Sequence, residues 1–373
     1  MNQFDDIRPY IDEEIPDAMR RIADSPYLPT VAHFLKPGMP VAEIQKMILA
    51  NHTIKEFQQN FVYNIVTVIL EKTTSGLHGS GFENIHPGIP YLFVSNHRDI
   101  VLDAMLLQYI LNQEGHDTCQ IAFGSNLMSI PFVIDFGKAN KMFCIERGGA
   151  PKEFYNSMAH VSDYIRHVIT EQKESVWIAQ RNGRTKDGMD ATDPAIIKMF
   201  GMSRRDDRVA SLAELNIIPT TVSYEWESCD KLKTLELYHT RMEGHYEKQP
   251  NEDLNSVLTG IKQPKGQVSV HISPRVTEAD LNGLNDCTTG EFYKRVAALI
   301  DQRINANYRL YANNYIAHDL RSGTTTYAEH YSAEQKAVFM DYLRWIDDYP
   351  DLDKALLREI FLGIYANPVD AKQ

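Results

Sequence analysis

The chain has 373 residues, 43% of them hydrophobic and 10% aromatic, with a formal net charge of −12. That length suffices for two domains, or for one large domain with helical extensions, and the composition excludes a disordered or fibrous chain. The negative balance excludes a general attraction to nucleic acid or anionic lipid, so any such contact requires a local basic patch.

Met1 to Glu14 is acidic and lacks an apolar stretch, so no secretory leader is expected. No run reaches the roughly 18 apolar residues of a spanning helix, which leaves peripheral membrane contact. Residues 1–84 read as a helical region cut into short pieces by Pro16, Pro26, Pro29, Pro37 and Pro40. In its last part Ile54, Phe57, Phe61, Ile65 and Val68 recur at helical spacing, and Val62, Val66 and Ile69 widen that apolar face. Such a face serves core packing, or dips into a bilayer and grips an acyl chain. Gly76, Gly79 and Gly81 mark a loop and a domain boundary.

Short apolar runs then alternate with helical stretches across residues 85–280. Strands are expected at Tyr91–Val94, Cys119–Phe123, Met142–Ile145, Val176–Ala179 and Ile217–Tyr224, with further strands at Leu232–His239 and Gln267–Ile272. Between them, helices are expected at about Ile100–Asn112, Pro131–Phe136, Lys152–Thr170 and Pro194–Phe200. This alternation predicts an α/β fold: a mixed, mostly parallel sheet flanked by helices, with N-terminal and C-terminal helical extensions. Residues 281–373 form the C-terminal extension, helical from Thr289.

Three polar segments follow predicted strands, where an open α/β sheet binds its ligands. Ser95-Asn-His-Arg-Asp-Ile-Val-Leu-Asp103 places His97 just before a helix, with Asp99 able to cap it and Asp103 one turn on. An imidazole held by a carboxylate takes a proton from an attacking alcohol, although a histidine beside a helix cap also serves as an ordinary loop residue. Glu146-Arg147-Gly148-Gly149 offers a guanidinium fork for a phosphate or carboxylate, or else a surface ion pair. Gln180-Arg-Asn-Gly-Arg-Thr-Lys-Asp-Gly188 concentrates Arg181, Arg184 and Lys186 around Gly183, a basic patch suited to an anion, or else a solvated loop. A fourth segment, Ile217-Ile-Pro-Thr-Thr-Val-Ser-Tyr-Glu225, is by itself only a strand.

Taken in order, these four blocks resemble the glycerol-phosphate acyltransferase superfamily, which includes the glycerol-3-phosphate, dihydroxyacetone-phosphate and lysophosphatidic acid acyltransferases. That family carries an Asn-His-x4-Asp block, a strand ending in Arg, a Glu-Gly-x-Arg-Ser type loop and a Val-Pro-Val type strand. The resemblance spans residues 87–226, includes Ser125-Asn-Leu and Ile130-Pro131, and leaves both flanks unaccounted for.

The resemblance implies catalysis by His97 and Asp103, with Arg147, Arg181, Gly183, Arg184 and Lys186 binding an acceptor. The implied donor is an acyl thioester, acyl-CoA or acyl-ACP, serving as co-substrate with no resident cofactor. The implied acceptor is a phosphorylated or anionic lipid-type alcohol, used in phospholipid biosynthesis at the inner face of the cell membrane. Two departures stand out. Five residues separate His97 from Asp103, so either the helix starts later or Asp99 shares the orienting role. Asn182 also stands where the family carries Glu.

Within the same reaction class, an O-acyltransferase acting on an amino-acid lipid would use the arginines to read a carboxylate. A lipid-binding scaffold that has lost turnover is a further alternative. A generic α/β hydrolase is disfavoured by the missing Gly-x-Ser-x-Gly elbow. Cys119, Cys144, Cys229 and Cys287 show no CxxC spacing and read as reduced packing residues of a cytosolic protein. No metal site is expected: His160 and His167 share a helix without ligand-pair spacing.

Overall fold

A computed structural model describes residues 3–128 and 130–372. Its seven strands are β1 (Thr74–Ser80), β2 (Leu92–Ser95), β3 (Gln120–Gly124), β4 (Met142–Ile145), β5 (Val176–Ala179), β6 (Ile217–Tyr224) and β7 (Gly266–Ile272). They form one sheet in the order β1-β7-β6-β2-β5-β3-β4. β2 to β6 run parallel to one another, whereas β7 pairs antiparallel with β6 and parallel with β1. The fold is therefore the expected mixed, mostly parallel sheet flanked by helices.

β2 and β6 sit at the centre and are buried along their whole lengths, so that Thr220, Thr221 and Ser223 of β6 are buried alongside its apolar residues. The N-terminal helices Ile15–Ala23 and Val41–Leu49 and the segment Ile54–Thr73 share one core with residues of β2, β3, β6 and β7. Phe57, Phe61, Val62, Val66 and Ile69 are buried there, so the wide apolar face is consumed by packing and is not free to grip an acyl chain. The other sheet face is covered by Pro151–His167, Pro194–Phe200 and Thr289–Asn307, whose Phe292, Val296, Ile300 and Ile304 meet Leu92, Val94, Ile178 and Ile217. The cores thus run across residues 84 and 280 without a break.

Two sequence expectations are overturned. The glycine cluster at 76–81 is not a loop but largely β1, the sheet's edge strand. Gly79 there lies against the Phe82 ring, and a Cβ on Gly81 (φ +83°) would overlap the Ile272 carbonyl. Leu232–His239 is not a strand but part of the helix Asp230–Glu243. That helix turns Asp230, Lys233, Thr234 and Glu236 inward, so its leucines carried the wrong periodicity.

Candidate active site

The C-terminal ends of β2 to β6 lie on one side of the sheet, and the polar segments gather there. Immediately after β2, Asn96 donates to Asp190 Oδ2 (2.9 Å) and the Val222 carbonyl (3.0 Å), and its Oδ1 accepts from Val222 N–H (2.8 Å). This clamp ties the chain to β6 just before His97. The His97 Nδ1 lies 3.0 Å from Asp103 Oδ2, with the ring 8% exposed and the carboxylate fully buried. A carboxylate only accepts, so Nδ1 carries the proton and Nε2 presents a lone pair. Trp177 flanks the imidazole edge-on at 5.8 Å.

The five-residue spacing resolves itself in the geometry. The helix starts at Leu102, later than expected, and the intervening chain curls its amides around the acid. Asp103 Oδ2 accepts Arg98 N–H (2.7 Å) and Asp99 N–H (2.9 Å) besides the imidazole. Its Oδ1 accepts the Tyr224 hydroxyl at 2.8 Å. Tyr224 is a site residue that its place in a predicted strand does not single out. Asp99 does not share the orienting role: its Oδ1 caps Val101 N–H and Leu102 N–H, and its Oδ2 is taken by the Ser228 hydroxyl.

Around this dyad, Arg147, Arg181 and Arg184 make no side-chain hydrogen bond or ion pair with any described residue. Arg184 is buried, and its Nη1 is shielded from solvent without a partner. The Arg147 guanidinium packs where a Cβ on Gly124 would stand, beside the Asn126 amide. Gly183 has φ +76° and turns the loop between Arg181 and Arg184. Lys186 departs from its expected role, because its ammonium is ion-paired to Glu236. A buried cation without a counter-charge is costly unless a ligand supplies one. Arg184 is therefore suited to an anion, with the exposed Arg147 and the half-buried Arg181 also making no ion pair among the described residues, whereas Lys186 anchors the loop.

Beneath the site lies a buried ionic cluster. Arg98 donates to Asp190 Oδ2 through Nη2 (2.6 Å) and Nε (3.1 Å), and to the Gly188 carbonyl (3.2 Å). Glu227 lies 3.4 Å from Arg98 and 2.6 Å from Lys233, and Tyr308 stacks on the guanidinium at 4.9 Å. Burial works against the charge on Arg98, but Asp190, Tyr308 and Glu227 more than offset it and hold its pKa above the usual value. Thr185 N–H donates to the His97 carbonyl at 2.7 Å and its hydroxyl to Asp190 at 2.8 Å. One cluster thus fixes the histidine turn and the arginine loop together.

Other nucleophiles are poorly placed. Burial pushes the Cys144 thiol up, and the Ser95 hydroxyl donates to the Asn96 carbonyl.

Residues 77–199 match the family model described as Acyltransferase. Over that stretch the chain is similar to the acyltransferase family. The matched stretch contains His97, Asp103, Arg147, Arg181 and Arg184, whereas Tyr224 lies outside it. The chain is also similar to the crystal structure of the 1-acyl-sn-glycerophosphate (LPA) acyltransferase from Thermotoga maritima. That likeness has 14% identity and a TM-score of 0.38, covering 77% of this chain and 91% of that one. No curated protein matches the sequence. Among the described residues, no helix is long and apolar enough to cross a membrane.

Proposed function

We propose that the protein transfers a fatty acyl group from acyl-CoA or acyl-ACP to the hydroxyl of a glycerol-phosphate or lysophospholipid acceptor, in phospholipid biosynthesis. The observation that carries this reading is the pairing of an oriented imidazole with three arginines that make no side-chain hydrogen bond or ion pair among the described residues.

In this mechanism His97 Nε2 takes the acceptor's hydroxyl proton while Asp103 holds the ring and stabilises the imidazolium. The acceptor oxygen bonds to the thioester carbonyl carbon. Collapse of the tetrahedral intermediate breaks the C–S bond, and the departing thiolate recovers the proton from His97. Arg147, Arg181 and Arg184 bind the acceptor's anionic group. The half-buried Met128, Phe132 and Val133 are the apolar surface offered to the acyl chain. Catalysis occurs at the inner face of the membrane through peripheral contact.

The test is thiol release from a long-chain acyl thioester with glycerol-3-phosphate, lysophosphatidic acid or no acceptor. Acceptor-dependent release that falls about 10²–10⁴-fold in His97→Ala is expected. A folded His97→Ala variant with undiminished turnover would refute the mechanism. Release with neither acceptor would refute the phosphate assignment.

A further inference from the structure

The helix Glu252–Lys262 packs against the catalytic turn, and the mechanism does not use it. Its eleven residues span about 16 Å. At its C-terminal end Gly260 is pressed on the catalytic turn, where a Cβ would overlap the Asp99 carboxylate and crowd the Ser228 hydroxyl. Gln263, just beyond, accepts from Cys229 N–H at 2.8 Å and donates to Asp230 at 3.0 Å. That end is fixed.

The other end reaches the anion-binding side. Asp253 Oδ2 accepts from Asn126 Nδ2 at 2.9 Å, and Asn126 adjoins the Arg147 guanidinium over Gly124. Asp253 is also ion-paired to Lys248. Its negative charge acts on both Arg147 and Arg184. Burial opposes ionisation of Asp253, yet Lys248, Asn126 and Arg184 hold its carboxyl below the usual range. A carboxylate is thus stationed among the arginines meant for the acceptor, tethered through one exposed ion pair and one amide.

We propose that Asp253 is a specificity-determining residue whose carboxylate competes with the acceptor's anionic group for Arg147 and Arg184. The inference rests on reading these arginines as the acceptor's anion site. An acceptor binds by displacing Asp253 from their field, so a dianionic phosphate outcompetes it better than a monoanion does. Lys248 moderates the competition by neutralising part of the Asp253 charge.

The experiment is calorimetric titration of the full chain with inorganic phosphate, alongside steady-state acceptor kinetics. Asp253→Asn keeps the side chain's shape and an oxygen for Asn126 while removing the charge. It should bind phosphate about tenfold more tightly, or roughly 1.4 kcal/mol, and lower the Michaelis constant of the phosphorylated acceptor by a similar factor. Arg184→Gln in the same background should abolish the gain. Lys248→Gln should act in the opposite sense, weakening phosphate, and it tests the idea even if the Asp253 variant folds poorly.

Phosphate affinity unchanged in both folded variants would overturn the proposal, as would a lowered melting temperature with no change in affinity. Tighter phosphate binding without any transfer to glycerol-3-phosphate or lysophosphatidic acid would sink the acceptor reading while supporting the role of Asp253.

Discussion

Removing Asp190 tests whether the buried ionic cluster is what holds the two halves of the site together. Arg98, Asp190, Glu227 and Lys233 have side chains 1%, 2%, 3% and 0% exposed, two cations and two anions in balance. Asp190→Ala leaves a net positive charge there, with Glu227 already shared with Lys233. Breaking a buried pair from one side costs about 3–5 kcal/mol. Unfolding entropy of roughly 2.1 cal/mol/K per residue gives about 0.8 kcal/mol/K for 373 residues, so the melting temperature should fall by about 4–6 °C. Arg98→Met with Asp190→Leu removes both charges and should be less destabilising than Asp190→Ala. Circular dichroism melts of the three proteins provide the readout. Acceptor kinetics should show a raised Michaelis constant in Asp190→Ala, because Thr185 and Asn96 lose their shared anchor. A fall under 1 °C for Asp190→Ala, or a double variant as unstable as two independent losses added together, would refute the reasoning.

Tyr224→Phe removes one of the donors that stabilise the charged Asp103. The acid should then hold the imidazole less firmly and kcat should fall; a structural role alone would lower the melting temperature and leave kcat in place. Lys265 donates to the Gln263 carbonyl (2.8 Å) and the Thr73 hydroxyl (3.0 Å), and burial pushes its pKa down from 10.5 to about 8. Between those values the unfolded chain holds more protons, so this residue makes stability rise with pH across the window. Relative to Lys265→Met, the wild-type protein should gain up to roughly 3 kcal/mol from below pH 8 to above 10.5 in urea melts, and a flat difference would refute the assignment.

What could be read from the amino acids depended on how each element is buried. β4 and β5 are short apolar runs between turns, and their limits, like those of β6, coincide with the expected ones. β1 escaped because an edge strand with glycines at 76 and 79 carries little apolar signal, its place being set by close contact with Phe82 and pairing with β7. The helix Asp230–Glu243 escaped for a different reason. Its inward face carries Lys233 and Asp230, whose partners Arg98 and Tyr365 lie on distant segments, and local periodicity has no access to such long-range pairing. The same blindness explains the site. His97 and Asp103 stand close in sequence and could be paired on chemistry, whereas Tyr224 reaches Asp103 across 121 positions. For Asp99, a carboxylate orienting a histidine and a carboxylate capping a helix look alike until its partners are known.

The terminal helices follow from the same logic. The loop holding Arg184 ends at Gly188, whose φ is +81° and where a Cβ would overlap the Ile364 carbonyl. Asn367 donates to the Asp187 carbonyl at 2.7 Å, and the Tyr365 hydroxyl accepts from Glu227 N–H at 3.0 Å and donates to Asp230 at 2.6 Å. The helix Lys354–Ala371 therefore closes the back of the arginine loop and of the ionic cluster at once. Holding the Arg184 guanidinium in a buried position, where it forms no hydrogen bond or ion pair with any described residue, requires a loop that cannot relax into solvent. The C-terminal helices supply that restraint, which ties their presence to the chemistry of the site.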